Sequence, residues 1–198
     1  IALYGKTGSG KTNILQEIKQ KGYDVLDLEK CANHRGSLLG GIGLGGDATQ
    51  KNFEAYVMDS ILKSKSDIIF TEGESKRIGS VVMPNYLFEE IFNARKFFIE
   101  TDMDKRVEII RKEYLKESYD ENEIFAALEK LGRYIGEKRK NEYIEELKNK
   151  EFDKVIKDLM ENYYDNAYKT KSHTFEKTFH NADEEKCAED IIKYVFGI

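Results

Sequence analysis

The sequence contains few of the residues that build disulfide-bonded, zinc-binding or membrane-spanning proteins. Two of its 198 residues are cysteine, three are histidine and one is proline. Cys31 and Cys187 lie far apart and form no C-x-x-C pair, so they predict reduced thiols in a cytoplasmic protein. The scattered histidines lack the spacing of a zinc site. No apolar run reaches the length of a membrane span, and no segment has the pattern of a signal peptide.

An excess of positive charge is also absent. The chain has 32 Lys and Arg against 37 Asp and Glu, which gives a net charge of −5. This balance argues against a generally basic coat for nucleic acid, and DNA is not an expected partner. It does not exclude a local basic face, because anion binding depends on the field at a cleft. The missing initiator methionine indicates that a residue or two precedes Ile1.

The most informative segment that is present is a glycine-rich loop at residues 5–12. It fits the Walker A or P-loop pattern G-x-x-x-x-G-K-[ST], with a short apolar strand before it and an amphipathic helix after it. A strand, a glycine turn and a helix N-terminus together predict a cradle for phosphate. The predicted phosphate-binding residues are Thr7, Gly8, Ser9, Gly10, Lys11, Thr12 and Asn13. The Thr12 hydroxyl is also a predicted ligand of Mg²⁺.

Apolar patterns along the rest of the chain predict a sheet covered by helices. After the first strand, further strands are predicted at residues 23–28, 67–71, 96–100 and 174–179. Between the second strand and the helix predicted at 50–63, several glycines predict a loop that approaches a ligand or moves. We therefore predict an α/β protein with a P-loop NTPase-like three-layer fold and about five mostly parallel strands.

The pattern changes between residues 102 and 168, where apolar residues recur at the spacing of continuous amphipathic helices. We predict two structural regions. The P-loop α/β core comprises residues 1–101 and 172–198, and residues 102–171 form a helical insertion or subdomain.

Polar residues follow the second and third predicted strands, at the edge where open α/β sheets bind ligands. An acid that ends a strand usually orients magnesium beside a phosphate loop, and here that acid is Glu72 or Glu74. Two arginines in the same region suit a second anion. The predicted catalytic residues are Lys11, Asp27, Arg35, Glu72, Glu74 and Arg77, and the predicted metal ligands are Thr12 and Glu72.

Two features of the helical region leave alternatives open. The densest basic stretch contains Lys130, Arg133, Lys138, Arg139 and Lys140, and it suits either an RNA backbone or a salt-bridged solvent face. A tyrosine cluster near the end of the region suits either the core or stacking on a base.

Together these segments resemble the P-loop domain of tRNA 2-selenouridine synthase over nearly the whole chain. The Asn-His-Arg-Gly-Ser segment at 33–37 and the Glu-x-Glu-Ser segment at 72–75 are more specific than the phosphate loop. Further matching positions are the segment 25–29, Gln50, Phe53, Glu54, Ile78, Gly79, Pro84, Leu131, Gly132, Tyr163, Tyr164, Asp165 and Tyr168.

The resemblance implies a transferase that modifies 2-thiouridine at the wobble position of tRNA. Geranyl diphosphate would supply an S-geranyl group, and selenophosphate would then replace the sulfur by selenium. The substrate- and tRNA-binding residues implied are Glu29, Asn33, His34, Arg35, Gly36, Ser37, Gln50, Ser75, Tyr164 and Tyr168. Mg²⁺ is an expected cofactor, and binding of ATP or GTP is left open.

Members of this family also carry an N-terminal rhodanese domain with a catalytic cysteine. Neither Cys31 nor Cys187 looks like a replacement for that residue. The sequence is therefore expected to be either a fragment or a stand-alone, archaeal-type version whose partner is a separate rhodanese-domain protein.

Two other functions fit parts of the sequence. A small-molecule or nucleoside kinase would use Asp27 as its base and the helical region as a lid, with arginines available at 106, 111, 133 and 139. A non-catalytic module that docks tRNA for a rhodanese partner would bind tRNA without chemistry of its own. ATP turnover with a small acceptor would favour the kinase, and tolerance of Lys11→Ala would favour the docking module.

Overall fold

Five short strands form one parallel sheet at the centre of the molecule. The structure is a computed structural model that describes residues 1–37, 39–115, 120–168 and 173–197. The sheet strands are β1 (Ala2–Tyr4), β2 (Val25–Leu26), β3 (Phe70–Glu72), β6 (Lys96–Glu100) and β7 (Lys177–His180), and their order is β2-β3-β1-β6-β7. Every neighbouring pair is parallel, with β1 in the middle. The prediction of an α/β fold with five mostly parallel strands is confirmed.

Helices cover both faces of the sheet. Successive residues of β1 point to opposite faces, so each face packs its own side chains against helices. Leu3 packs in a buried cluster with α1 (Lys11–Gln20) and α10 (Glu184–Phe196). Ala2 and Tyr4 pack on the other face. The helices of that face are α2 (Leu28–Ala32), α3 (Gln50–Lys63) and α4 (Asn85–Asn93). The result is the three-layer arrangement predicted from the sequence.

Three strand predictions were wrong in their limits, and the strand predicted at 67–71 lies at Phe70–Glu72. The strand predicted at 23–28 covers only Val25–Leu26, because Asp27 caps the next helix by accepting a hydrogen bond from the Lys30 N–H. The strand predicted at 174–179 lies at Lys177–His180. Sequence patterns also missed the antiparallel hairpin of β4 (Arg77–Ile78) and β5 (Val81–Val82), whose strands are too short for a periodic signal.

The helical region has a buried cluster of its own. Its elements are α5 (Met103–Tyr114), α6 (Glu121–Ile135), α7 (Glu137–Lys148), α8 (Phe152–Leu159), a π-helical turn at Met160–Tyr164, and α9 (Asp165–Ala167). Leu128, Leu131, Tyr143, Val155 and Leu159 form that cluster. The proposed division into a core and a helical subdomain, with its limits at 101/102 and 171/172, stays a prediction, and the second limit lies outside the described residues.

Two of the five residues of the basic stretch are paired within the protein. Arg139 bonds with Glu142 and Asp158, and the buried Lys140 bonds with Glu129 and Glu137. These pairs favour the salt-bridged interpretation for the α7 side of the stretch. Lys130, Arg133 and Lys138 are exposed.

Two expectations from the composition concern the whole chain. Cys31 and Cys187 are buried free cysteines, as predicted. Within the described ranges, every helix is too short or too polar to cross a membrane.

Candidate phosphate-binding site

The phosphate loop connects β1 to α1 and contains two glycines in the left-handed region. Gly8 has φ 75° and Gly10 has φ 81°, conformations that strain residues with a side chain. The Ser9 carbonyl accepts hydrogen bonds from Thr101 Oγ1 and Asn181 Nδ2, each at 2.9 Å. The side chains that fix the loop therefore lie just beyond the ends of β6 and β7, far away in sequence.

Lys11 supplies a full positive charge inside this loop. Its Nζ donates a hydrogen bond to the Gly5 carbonyl at 3.0 Å. Burial acts against the charge of the ammonium group, but Glu74 and Glu29 lie nearby and raise the pKa of Lys11 overall. Lys11 is therefore charged at neutral pH and available to an anion.

An ionic clamp joins the loop to the end of the helical region. Asp165 accepts hydrogen bonds from Lys6 Nζ at 2.9 Å and from both Nη atoms of Arg106, at 3.0 and 2.6 Å. Arg106 is buried, and its Nε donates to the Thr7 carbonyl at 3.0 Å. Burial acts against the negative charge of Asp165, but the hydrogen bonds and charges of Arg106 and Lys6 lower the pKa of Asp165 overall. We call Lys6, Arg106 and Asp165 the clamp.

A second contact from the helical region also reaches the loop. The Tyr168 hydroxyl accepts a hydrogen bond from the Gly5 N–H at 2.9 Å. The family resemblance implies that Tyr168 binds substrate, whereas Arg106 is predicted only as an arginine available to a kinase lid. The role of Arg106 in the clamp was missed, because pairing over 59 residues leaves no periodic or local signal.

Two glutamates line the pocket beside Lys11. Thr12 Oγ1 donates a hydrogen bond to Glu29 Oε2 at 2.9 Å. A Cβ atom on Gly36 would come within 2.8 Å of Glu29 Oε1 and 2.9 Å of Glu74 Oε2, so both carboxyl groups reach the same point. Burial, followed by the proximity of Glu74, raises the pKa of Glu29 to about 8. Burial also raises the pKa of Glu74. This pair therefore holds a proton at neutral pH.

Glu72 does not line this pocket, and its roles as a metal ligand and catalytic acid stay predictions. Its side chain is fully buried, and Oε2 accepts a hydrogen bond from the Leu28 N–H at 2.9 Å. Burial, with Asp27 and Glu29 nearby, raises its pKa well above the ordinary value. Glu72 therefore supports the start of α2, and the carboxyl group beside the Thr12 hydroxyl belongs to Glu29.

Three other predicted residues make contacts that build the surrounding loops. Asp27 caps α2, so its carboxylate is engaged away from the phosphate pocket. Asn33 Nδ2 donates to the carbonyls of Leu44 and Gly46, which ties down the glycine-rich loop. Gln50 exchanges two hydrogen bonds with the backbone of Val82 in β5. The structure does not bring these three side chains into the pocket.

Arg35 lies at the border of the pocket and is held there by three contacts. Nη1 donates to the Ile42 carbonyl at 2.7 Å and Nη2 to the Glu113 carbonyl at 3.3 Å. The guanidinium also lies 4.7 Å from the centre of the Tyr114 ring. Arg77 is exposed and donates to the Gly79 carbonyl, so it faces a different cleft from Arg35.

The phosphate pocket brings together most of the predicted residues. Its walls contain Gly5, residues 7–12 of the loop, and several of the side chains described above. The wall residues that had been predicted are Thr7, Gly8, Ser9, Gly10, Lys11, Thr12, Glu29, Arg35, Gly36, Ser37, Glu74, Ser75, Tyr164 and Tyr168. Asn13 faces a neighbouring groove on the far side of Thr12.

An apolar cavity adjoins the phosphate pocket on the side of the helical region. Thr7, Ser37, Ile110, Tyr114 and Tyr164 line both spaces. The rest of the cavity wall comes mainly from α5, α6 and α8 and is apolar, with Ile124, Leu128, Leu147, Val155, Ile156 and Leu159 among its residues. Its volume is about 80 Å³. The sequence predicted these residues as helix faces, and nothing in their spacing showed that they surround a cavity.

Comparisons with known proteins agree with this geometry. Residues 1–195 match the family model described as the tRNA 2-selenouridine synthase AAA domain. A protein of Nitrosomonas eutropha named tRNA 2-selenouridine synthase is 36% identical over 119 residues, which are 58% of this chain and 30% of that protein. One of the same name from Alcanivorax borkumensis is 30% identical over 138 residues, 68% of this chain and 34% of that protein. The chain thus spans about a third of the curated relatives.

A crystal structure of a Thermus thermophilus protein also aligns with the chain. The alignment covers 99% of this chain and 95% of that one, at 13% identity and a TM-score of 0.49. The assignment of the fold depends instead on the strand order and the phosphate loop described above.

Proposed function

The chain belongs to the tRNA 2-selenouridine synthase family, whose AAA domain it matches over residues 1–195, and we propose that it is the phosphate-binding part of a transferase that modifies tRNA. The substrate is 2-thiouridine at the wobble position. In the first step the chain alkylates the sulfur of this base with geranyl diphosphate.

The observation that supports this proposal most is the apolar cavity beside the phosphate pocket. An allylic diphosphate joins a water-insoluble chain to a highly charged head, and these two parts need adjoining sites of opposite character. Lys11 and the loop suit the diphosphate, and the cavity between α5, α6 and α8 suits the geranyl chain. ATP would present a ribose and a base instead, which an apolar cavity does not satisfy with hydrogen bonds.

The proposed reaction needs charge stabilisation more than covalent help from the protein. The sulfur of 2-thiouridine forms a bond to C1 of the geranyl chain while the C1–O bond breaks. The electron pair of the C1–O bond leaves with the diphosphate. Backbone N–H groups of the loop and Lys11 stabilise that leaving charge. The apolar cavity keeps water away from the electrophilic carbon.

Alkylation also releases the N3 proton of the base, so the site needs a proton acceptor. Glu29 and Glu74 both lie in the pocket, and burial raises the pKa of each carboxyl group. A carboxylate with a raised pKa accepts a proton more readily than an ordinary one. We assign this role to Glu74, because Glu29 is bonded to Thr12.

The donor atoms beside the loop also fit Mg²⁺. The Thr12 hydroxyl and the Glu29 carboxylate are oxygen donors of the type that magnesium prefers, and the ion usually adds substrate phosphates to one or two carboxylates. Among the described residues, no cluster of three or more acidic, His or Cys side chains would hold an ion without substrate. When bound, the ion would neutralise charge on the departing diphosphate.

The second step would use the same pocket after the diphosphate leaves. Selenophosphate is also a phosphate anion, so it suits the loop and Lys11. A rhodanese-domain protein is the proposed partner for this exchange of selenium for sulfur.

The test is nucleoside mass spectrometry of a 2-thiouridine tRNA incubated with the protein, Mg²⁺ and geranyl diphosphate. We expect S-geranyl-2-thiouridine from the wild type, and a loss of at least about 100-fold with Lys11→Ala, because removal of one group that stabilises the leaving charge has that effect. Lys19→Ala, an exposed lysine in the same helix, is the matched control and keeps full activity.

Two results would contradict the proposal. One is full transfer by a folded Lys11→Ala variant. The other is silence of the wild type even with a rhodanese-domain protein and selenophosphate added, together with consumption of ATP, which would favour the kinase instead.

A further inference from the structure

A third space lies across Gly36 and Ser37 from the phosphate pocket, and we call it the outer cleft. Its walls come from the glycine-rich loop, the β4–β5 hairpin and α6, with His34, Arg77, Ser80 and Lys130 among the side chains. The cleft is open to solvent and has a volume of about 820 Å³. It is therefore large enough and accessible enough for part of a macromolecule to enter.

Ser37 is the point at which the three spaces meet. Among the described residues, Ser37 alone lines the apolar cavity, the phosphate pocket and the outer cleft. Its hydroxyl lies 3.1 Å from that of Tyr114. Transfer from an allylic diphosphate requires the acceptor atom to approach the carbon between the chain and the diphosphate. An acceptor in the outer cleft would approach that junction from the side of Ser37.

The outer cleft carries two cationic and two anionic side chains. Asp47 accepts the Ser80 N–H at 2.7 Å and Glu123 accepts the Gly43 N–H at 2.6 Å, so the backbone holds each carboxylate at the wall. Arg77 and Lys130 form no ion pair with any residue in the described ranges, and they lie on different walls. The free positive charges are thus placed on both sides of the opening.

His34 forms part of the floor of the outer cleft. His34 is nine-tenths buried, and its Nδ1 has no hydrogen-bond partner among the described residues. The ring lies against Gly40 and Gly79, where an added Cβ atom would come within 2.8 and 2.7 Å of it. Burial, more than any neighbouring charge, lowers the pKa of His34, so the ring is neutral. Because Nδ1 is enclosed, the imidazole offers a base a neutral ring surface and not that nitrogen.

We propose that the outer cleft is the acceptor subsite and binds one unstacked nucleotide of a single-stranded RNA loop. Its base reaches Ser37, and the phosphates on either side contact Arg77 and Lys130. RNA-binding proteins commonly read such splayed-out bases by their edges. This inference rests on the proposed function only for the identity of the acceptor, because RNA binding can be measured without any transfer.

The first test fills the cleft without removing any contact. Ala126 is an exposed residue of α6 in the cleft wall, and Ala55 is an exposed residue of α3 outside it. Binding of a fluorescent RNA stem-loop with 2-thiouridine in its loop is followed by anisotropy. We expect Ala126→Trp to raise the Kd about tenfold or more, as loss of one bound base does, while Ala55→Trp leaves it unchanged. Equal binding by the two variants would overturn the proposal.

The second test counts the phosphate contacts. Lys130→Ala should reduce the slope of log Kd against log salt concentration by about 0.7, the value for one phosphate of a single strand. Lys138→Ala, an equally exposed lysine of α7, should leave the slope unchanged. Equal slopes for the two variants would remove Lys130 from the subsite.

Geranyl diphosphate binding, measured by calorimetry on the same variants, separates this inference from the proposed function. Ala126→Trp should bind geranyl diphosphate as the wild type does while losing RNA. If the wild type does not bind geranyl diphosphate but Ala126→Trp still loses RNA, the prenyl-transfer proposal fails and the RNA subsite stands. If Ala126→Trp loses both ligands through unfolding, seen by circular dichroism, the exposed placement of Ala126 is wrong and the inference falls with it.

Discussion

Asp165 is the residue through which the helical region holds the phosphate loop. Asp165→Asn leaves the buried guanidinium of Arg106 without its anion, and the loss of one partner of a buried pair costs about 3 kcal/mol. The measurement is the free energy of unfolding in urea. The control is Asp153→Asn, which breaks an exposed pair with Arg111 and should cost less than about 1 kcal/mol. Equal losses in the two variants would show that the clamp does not stabilise the fold.

Glu29 makes the binding of an anion depend on pH. Its pKa is raised from 4.5 to about 8, so the carboxyl group is neutral below that value and negative above it. We expect the affinity for geranyl diphosphate, without magnesium, to fall about tenfold from pH 7 to pH 9, since a nearby like charge costs about 1–4 kcal/mol. Glu29→Gln should show no such fall. A wild-type affinity independent of pH would contradict the raised pKa.

The same shift affects folding stability with a defined sign. Because the folded protein binds the Glu29 proton more tightly than the unfolded chain, this contribution to stability is fully present below about pH 4.5. It is lost as the pH rises through about 8.

Single residues also show where sequence reasoning succeeded and where it could not. Lys11 and Thr12 were identified correctly as pocket residues, because the motif fixes both their type and their surroundings. Glu72 was chosen as the acid because it ends a strand, but a strand's sequence does not say which way its last side chain points. The Thr12–Glu29 hydrogen bond depends on how α2 begins, and no local pattern encodes that.

At the scale of the elements, α8 supplies one wall of the apolar cavity. Ile156→Phe would fill part of that space, so we expect it to weaken the binding of geranyl diphosphate about tenfold, the range for a small change of volume in an apolar pocket. Binding of inorganic diphosphate should not change. Ile144→Phe, on α7 and outside the cavity wall, is the matched control. If Ile156→Phe weakens the binding of both geranyl diphosphate and inorganic diphosphate, the cavity does not bind the geranyl chain.

The helices and central strands were largely predictable because their apolar residues follow periods of 3.6 and 2. The β4–β5 hairpin was not, since two strands of two residues carry no period. Packing between elements was equally hidden. The residues of α5, α6 and α8 were assigned correctly to helices, yet the cavity between them depends on how far apart those helices pack.

At the scale of the whole molecule, the loop is fixed by residues from across the chain, so a ligand on the loop should stabilise the entire fold. Inorganic diphosphate at a hundredfold excess over its Kd should raise the free energy of unfolding by about 2.7 kcal/mol. Lys11→Ala should abolish this gain at the same concentration, because its ammonium group is the full charge within the loop. Calorimetric unfolding with and without diphosphate is the measurement. A gain retained in Lys11→Ala would show that the anion binds elsewhere.

The hydrogen bond from Asn181 to the Ser9 carbonyl has a consequence for synthesis of the chain. The two residues are 172 positions apart, and ribosomes add about 5–20 residues per second. The phosphate loop therefore leaves the ribosome roughly 10–30 s before Asn181 does. During that interval β7 and α10 are also missing, so β6 lacks a neighbour and α1 lacks its cover. A nascent chain cannot complete its anion site until Asn181 has emerged, and until then its partly formed sheet exposes apolar surface of the kind that chaperones bind.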